Sequence, residues 1–91
     1  MSKCIIFSNE RLHGDYFRAE FTAPEVAATA RAGQFIHLRI DKRNDHMLRR
    51  PFSIHNAADG KITIVYKVVG KGTENLSKLP AGTECDMLGP C

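Results

Sequence analysis

Tryptophan is absent from this chain, tyrosine occurs only twice, and aromatic residues make up 8% of it. Reading single-stranded nucleic acid by base stacking calls for several exposed rings, and few are available here. No apolar run approaches the roughly 20 residues that cross a bilayer as a helix, and the N-terminus lacks a signal-peptide pattern. No internal repeat or low-complexity tract occurs. Basic residues outnumber acidic ones by 13 to 10, for a net charge of +3, yet they are scattered and no basic run exceeds Arg49-Arg50. A mild, dispersed excess suits a small anionic ligand better than a nucleic-acid backbone. Neither nucleic acid nor a membrane is expected as a partner.

Cysteine is sparse as well. Cys4, Cys85 and Cys91 form an odd, widely spaced set, which fits neither a disulfide framework nor the spacings of zinc and iron–sulfur sites. Free thiols point to a reducing compartment, so a cytoplasmic location is expected. Cys85 reads as a core thiol and Cys91 as a chain-end residue. His13, His37, His46 and His55 have no cysteine or carboxylate at a ligand-like spacing, so no metal site is expected.

What remains is an ordinary globular composition, 43% hydrophobic and 25% charged over 91 residues, enough for one domain with a modest core. Lys3–Ser8 reads as a buried strand, followed by a polar connection over Asn9–Asp15. Alternation marks a half-buried strand over Asp15–Thr22, with Phe17, Ala19 and Phe21 on one face. Pro24–Ala32 favours a short helix, with Pro24 at its start and Gly33 as its terminator. Gln34–Ile40 alternates again, with Ile36, Leu38 and Ile40 inward. Asp41–Leu48 is a charged loop. Asp59-Gly60 is a hairpin signal, and Ile62–Val69 is the strongest strand, apolar on both faces. Thr73–Leu79 reads as a helix with Thr73 as candidate N-cap, and Glu84–Leu88 as a last strand. Periodicity alone supports an all-β barrel or sandwich.

The chemistry concentrates in Leu48–Asn56. Pro51 fixes its own φ and biases Arg50 toward extended backbone, and a strand then places Phe52 and Ile54 on one side and Ser53 on the other. A planar guanidinium fork suits a pair of phosphate oxygens better than an ammonium does. Two arginines before a strand also fit a plain solvated pair. Gly70-Lys71-Gly72-Thr73 is a second candidate, because glycines allow close approach and a helix start favours an anion. By itself it equally fits an ordinary strand-to-helix turn.

Taken in order, these stretches resemble the ferredoxin reductase family, in which Arg50-Pro51-Phe52-Ser53 matches the Arg-x-Tyr-Ser flavin motif. Gly33–Arg39, Val65-Tyr66-Lys67, Gly70–Thr73 and Leu88-Gly89-Pro90 fall in the family's order, most like the electron-transfer subunits of B-type dihydroorotate dehydrogenases. The resemblance implies a six-stranded antiparallel Greek-key barrel of the FAD-binding type, with a short helix after the fifth strand. It assigns Arg50 to the FAD phosphates, Phe52 to packing along the flavin or its ribityl chain, and Ser53 to the reactive N5 edge, with Pro51 also among the cofactor-binding residues. Val65, Tyr66 and Lys67 would line the cofactor, and Gly72 and Thr73 would hold the pyrophosphate. Phe52 keeps the ring of the commoner tyrosine and lacks its hydroxyl.

No residue is expected as a general acid or base, since the chemistry belongs to the flavin. By this resemblance, residues 1–91 are a FAD-binding domain and a fragment. The NAD-binding and [2Fe–2S] regions would belong to the complete subunit, which would partner a catalytic flavoprotein subunit and carry electrons from dihydroorotate to NAD in pyrimidine biosynthesis. The isolated piece is expected to be inactive. Two alternatives stand beside it: the FAD domain of another ferredoxin or NAD(P)H reductase-like subunit, serving a hydrogenase or sulfide-type reductase, and a non-catalytic barrel that binds a protein or oligonucleotide.

Overall fold

The computed structural model describes residues 2–41, 46–47 and 51–91. Its elements in chain order are β1 (Ser2–His13), β2 (Tyr16–Thr22), α1 (Pro24–Ala27), β3 (Phe35–Asp41), β4 (His46–Met47), β5 (Phe52–Ala58), β6 (Lys61–Lys67), α2 (Lys71–Ser77) and β7 (Glu84–Leu88). The strands run side by side in the order β3-β5-β6-β2-β1-β7, and β3 pairs in turn with β7, which closes the sheet. Every pairing is antiparallel. The two residues of β4 attach to β3 outside this ring. The result is the expected six-stranded barrel, and α2 follows its fifth strand. Closure leaves no long unpaired edge for another chain to extend.

The core follows from alternation. Ile6, Ala19, Phe21, Ile36, Leu38, Ile54, Ile62, Ile64 and Met87 point inward and are buried, with Phe17 and Val68 partly buried against them. Asp59 and Gly60 both take positive φ, 55° and 75°, and join β5 to β6 as a two-residue turn whose twist matches the flanking strands. Cys4 and Cys85 are directly paired across β1 and β7 and both are buried free thiols.

Several boundaries differ from the sequence reading: β6 ends at Lys67 rather than Val69, and β4 lies inside the expected loop Asp41–Leu48. β1 runs on through the supposed connection to His13, because Asn9, Glu10 and Arg11 pair with Ala19, Arg18 and Phe17 of β2. A bulge at Phe7 carries the strand around the barrel's bend, as extra residues in one strand do. α1 stops at Ala27 rather than Ala32. Val26 is its one fully buried side chain, and so short a helix depends on packing to persist. α2 begins at Lys71, with Gly70 and not Thr73 at its N-cap.

Candidate cofactor-binding site

β5 and β6 lie side by side with Ile54 opposite Ile64, so the residues flanking this pair face outward together. Between them is a cleft of about 180 Å3 lined by Pro51, Phe52, Ser53, Val65, Tyr66, Lys67 and Val69. Its outer wall is formed by side chains in solvent, namely Pro51, Ser53, Val65, Lys67 and Val69. Its floor is formed by two rings that belong to the core. Phe52 is 5% exposed and Tyr66 4%, and they meet edge to face with centroids 6.0 Å apart. Tyr66 also stacks on Phe17 at 5.6 Å. Its hydroxyl donates to Asn9 Oδ1 at 2.9 Å. Burial pushes the phenol up to about 12, against the lowering effect of that hydrogen bond.

α2 starts four residues beyond Lys67, at the Val69 end of the cleft. Its first turn leaves backbone N–H groups without intrahelical partners. The Thr73 hydroxyl is turned inward, accepting from Val69 N at 2.9 Å and Gly70 N at 3.2 Å and donating to Gly70 O at 3.0 Å. Thr73 therefore shapes the turn, and what it can present to a ligand is its main chain. Gly72 sits in the same turn.

Six of the nine residues expected from the sequence thus line one cleft, and Gly72 and Thr73 lie in the turn at its end. Arg50 lies outside the described residues. Phe52 is floor rather than an outward ring, so any contact with a cofactor is through its edge. Val69 joins the cleft without having been singled out, although the alternation of Ile62–Val69 already placed it on the same face as Val65 and Lys67.

A wider concavity of about 380 Å3 lies further along the same outer face, lined by Arg18, Glu20, His55, Asn56 and Thr63. It is shallow, polar and mixed in charge, without an apolar wall. Flat aromatic ligands favour surfaces that combine apolar contact with a few placed polar groups, and the smaller cleft is the one with that character. Among the described residues, no group of three or more histidine, cysteine or carboxylate side chains could hold a metal ion. Among the same residues, no helix is long and apolar enough to cross a membrane.

A closed antiparallel barrel with an outward cleft between adjacent strands can serve many kinds of ligand, and comparison with known proteins narrows them. Residues 3–91 match the family model described as the oxidoreductase FAD-binding domain, and the chain belongs to that family. It is 47% identical over 73 residues to the dihydroorotate dehydrogenase B (NAD(+)) electron transfer subunit of Desulforamulus reducens, covering 78% of this chain and 28% of that protein. The protein of the same description from Fusobacterium nucleatum is 33% identical over 89 residues, covering 96% of this chain and 34% of its own length. Among solved structures, an NADH-dependent reduced ferredoxin-NADP oxidoreductase studied for flavin-based electron bifurcation is 31% identical with a TM-score of 0.78. That likeness covers 94% of this chain and 31% of the other. The chain therefore spans about a third of the length of these relatives.

The cleft fits one face of a flavin. Val65, Val69 and Pro51 offer apolar contact, Ser53 a hydroxyl, and Lys67 a cation, whose Nζ lies 5.7 Å from the centroid of the Tyr16 ring. At about 180 Å3 it falls below the roughly 300–1,000 Å3 that enclose a drug-sized ligand. A surface of this size offers support to a flat ring from one side only.

Proposed function

We propose that this chain is the FAD-binding domain of an electron-transfer subunit that carries electrons from dihydroorotate oxidation to NAD through FAD and a [2Fe–2S] centre, in pyrimidine biosynthesis. The observation that carries the reading is the cleft between β5 and β6, where residues of the flavin motif and of the following strand line one outer face. A bound flavin supplies hydride acceptance and single-electron release. The chain's own residues bind and orient it: Arg50 pairs with the phosphates, Pro51, Val65 and Val69 support the ring, and Ser53 donates at the edge where charge develops. The turn at Gly72 and Thr73 receives the pyrophosphate. The [2Fe–2S] centre, the NAD site and the contact with a catalytic flavoprotein subunit belong to the complete subunit, so the 91-residue piece is inactive alone. The facing free thiols Cys4 and Cys85 suit a reducing, cytoplasmic setting.

The likeness to a ferredoxin-NADP oxidoreductase favours a second reading, in which the same domain serves another ferredoxin or NAD(P)H reductase-like subunit. Both place FAD in the same cleft.

Titration of the complete subunit with FAD, read by flavin fluorescence, tests the proposal. Val65→Asp puts a carboxylate on the ring-facing surface at a solvent-exposed position, so it leaves the fold intact and abolishes binding. Arg50→Ala weakens binding by about 1.5–3 kcal/mol, the worth of a charge-assisted pair, and Arg49→Ala far less. Absence of FAD binding by the complete subunit, or equal binding by parent and Val65→Asp, overturns the reading.

A further inference from the structure

Asn9 lies on β1 opposite Ala19, half-buried and far in sequence from every residue of the cleft. Its amide is fully committed. The carbonyl oxygen accepts from the Tyr66 hydroxyl at 2.9 Å. The nitrogen donates to the backbone carbonyls of Leu76 at 2.9 Å and Leu79 at 3.0 Å. Leu76 lies in the last turn of α2 and Leu79 two residues past its end. Leu76 O also accepts from Leu79 N at 3.1 Å, so Asn9 adds to the cap on the C-terminal end of α2, where carbonyls lack partners within the helix. One side chain thereby joins the strand that floors the cleft to the back of the helix that starts at the cleft's far end.

A helix of seven residues has little stability of its own, and its position is set by what holds it. Leu76 is buried on its inner side, the Thr73 hydroxyl ties its first turn to Val69 and Gly70, and Asn9 fixes its end. Just past the helix, Leu79 packs partly against the core and Gly82 N donates to Ile6 O at 2.7 Å. The two hydrogen bonds of Asn9 are the side-chain tie between that end and β1.

We propose that Asn9 is a positioning residue for dinucleotide binding: by bridging Tyr66 to the end of α2, it fixes the first turn of that helix relative to the flavin-facing strands β5 and β6. The inference rests on the FAD reading above. Its consequence is selective. A ligand that spans both the ring surface and the helix turn depends on their spacing, whereas one that touches only the ring surface does not.

The test compares FAD with riboflavin, which lacks the phosphates, on the complete subunit that contains these residues. Asn9→Asp keeps an acceptor for Tyr66 and loses both donors to α2. It weakens FAD about tenfold, the loss expected when two ordinary hydrogen bonds disappear, and riboflavin less than about twofold. Tyr66→Phe keeps both donors to α2 but cuts the bridge at its other end, so the FAD-to-riboflavin ratio falls in the same direction. Amide hydrogen exchange supplies a readout independent of any ligand. In Asn9→Asp, exchange accelerates over Glu74–Lys78 and stays unchanged in β1, β2 and β6. Asn9→Ser, smaller and neutral, gives the same pattern if the carboxylate perturbs folding. Equal loss of both flavins, or exchange that rises throughout the barrel, makes Asn9 a general stability residue and overturns the proposal. A parent subunit that binds no FAD sinks the cofactor reading instead, while unchanged exchange in α2 refutes the anchor on its own.

Discussion

Arg39 and Asp86 face each other across the seam where β3 meets β7, with Nη2 3.0 Å and Nε 3.3 Å from the same carboxylate oxygen. That seam is where the barrel closes, and three backbone pairs carry it. Asp86 is a buried charge, its side chain 9% exposed against 32% for Arg39, so its carboxylate draws more from the pair than a surface partner would.

Asp86→Ala accordingly costs about 1.5–3 kcal/mol, the range for hydrogen bonds to charged groups. Urea denaturation measures it. A loss within the roughly 0–1 kcal/mol of a surface ion pair would mean that solvent replaces the partner and the seam is held by main chain alone.

Gly89 lies just past the seam with φ +141°, a region that side chains avoid. A Cβ there would meet Phe35 O at 2.9 Å and Ile36 Cα at 3.3 Å, both backbone atoms of β3 that cannot swing aside. Gly89→Ala therefore destabilises by at least about 1–3 kcal/mol, the cost of a backbone held in such a region. Thermal unfolding reads the loss. An unchanged midpoint would show that the chain end peels away from Phe35 at no cost.

The three thiols differ in reactivity. Cys4 is held protonated, its pKa pushed up first by a hydrogen bond with Cys85 and then by burial, and the thiolate is the reactive form. Cys91 is exposed. An aromatic disulfide reagent at neutral pH titrates Cys91 rapidly and the other two only once the protein unfolds. Rapid reaction of all three in the native state would refute the buried pair.

How much of this was legible in the sequence depends on where the governing contact lies. Alternation in Ile62–Val69 fixed both faces of β6 and, with Phe52–Ile54, the cleft itself, because a strand's periodicity is local. The stretch Asn9–His13 looked like a connection because it is mostly polar, and its strand character comes from pairing with β2. Thr73 had the chemistry of an N-cap, yet Gly70 precedes it by three residues and the threonine hydroxyl turns back onto that turn. Asn9 carried no local signal at all, since its partners Tyr66, Leu76 and Leu79 lie 57 to 70 residues away.

Tyr66 makes the barrel sensitive to alkali. Its pKa rises from 10 to about 12 in the folded chain, chiefly through burial. The unfolded phenol ionises first, so the unfolded state binds fewer protons between these values and stability falls with rising pH. The contribution is intact below pH 10 and lost progressively as pH climbs toward about 12. Comparing denaturation midpoints of the parent and Tyr66→Phe at several pH values isolates it. The parent loses stability more steeply than the variant across that window. Parallel slopes would place the hydroxyl in contact with water in the folded state.

Ser53 gives the sharpest test of how the cleft is used. It is exposed, flanked by two buried residues of β5, and pairs with Phe35 on the neighbouring strand, so its main chain is fixed and its hydroxyl points outward. Ser53→Ala leaves the fold intact because nothing is packed around the removed oxygen. FAD affinity drops only by about 0.5–1.5 kcal/mol, the net worth of one neutral hydrogen bond. The midpoint potential of the bound flavin shifts negative, because a donor placed where charge develops favours the reduced form more than the oxidised one. Spectroelectrochemical titration beside FAD binding separates the two effects. A potential that stays put while affinity falls would make Ser53 an anchor at a part of the cofactor that does not change charge. A change in neither would put the hydroxyl in solvent and the ring elsewhere on the face.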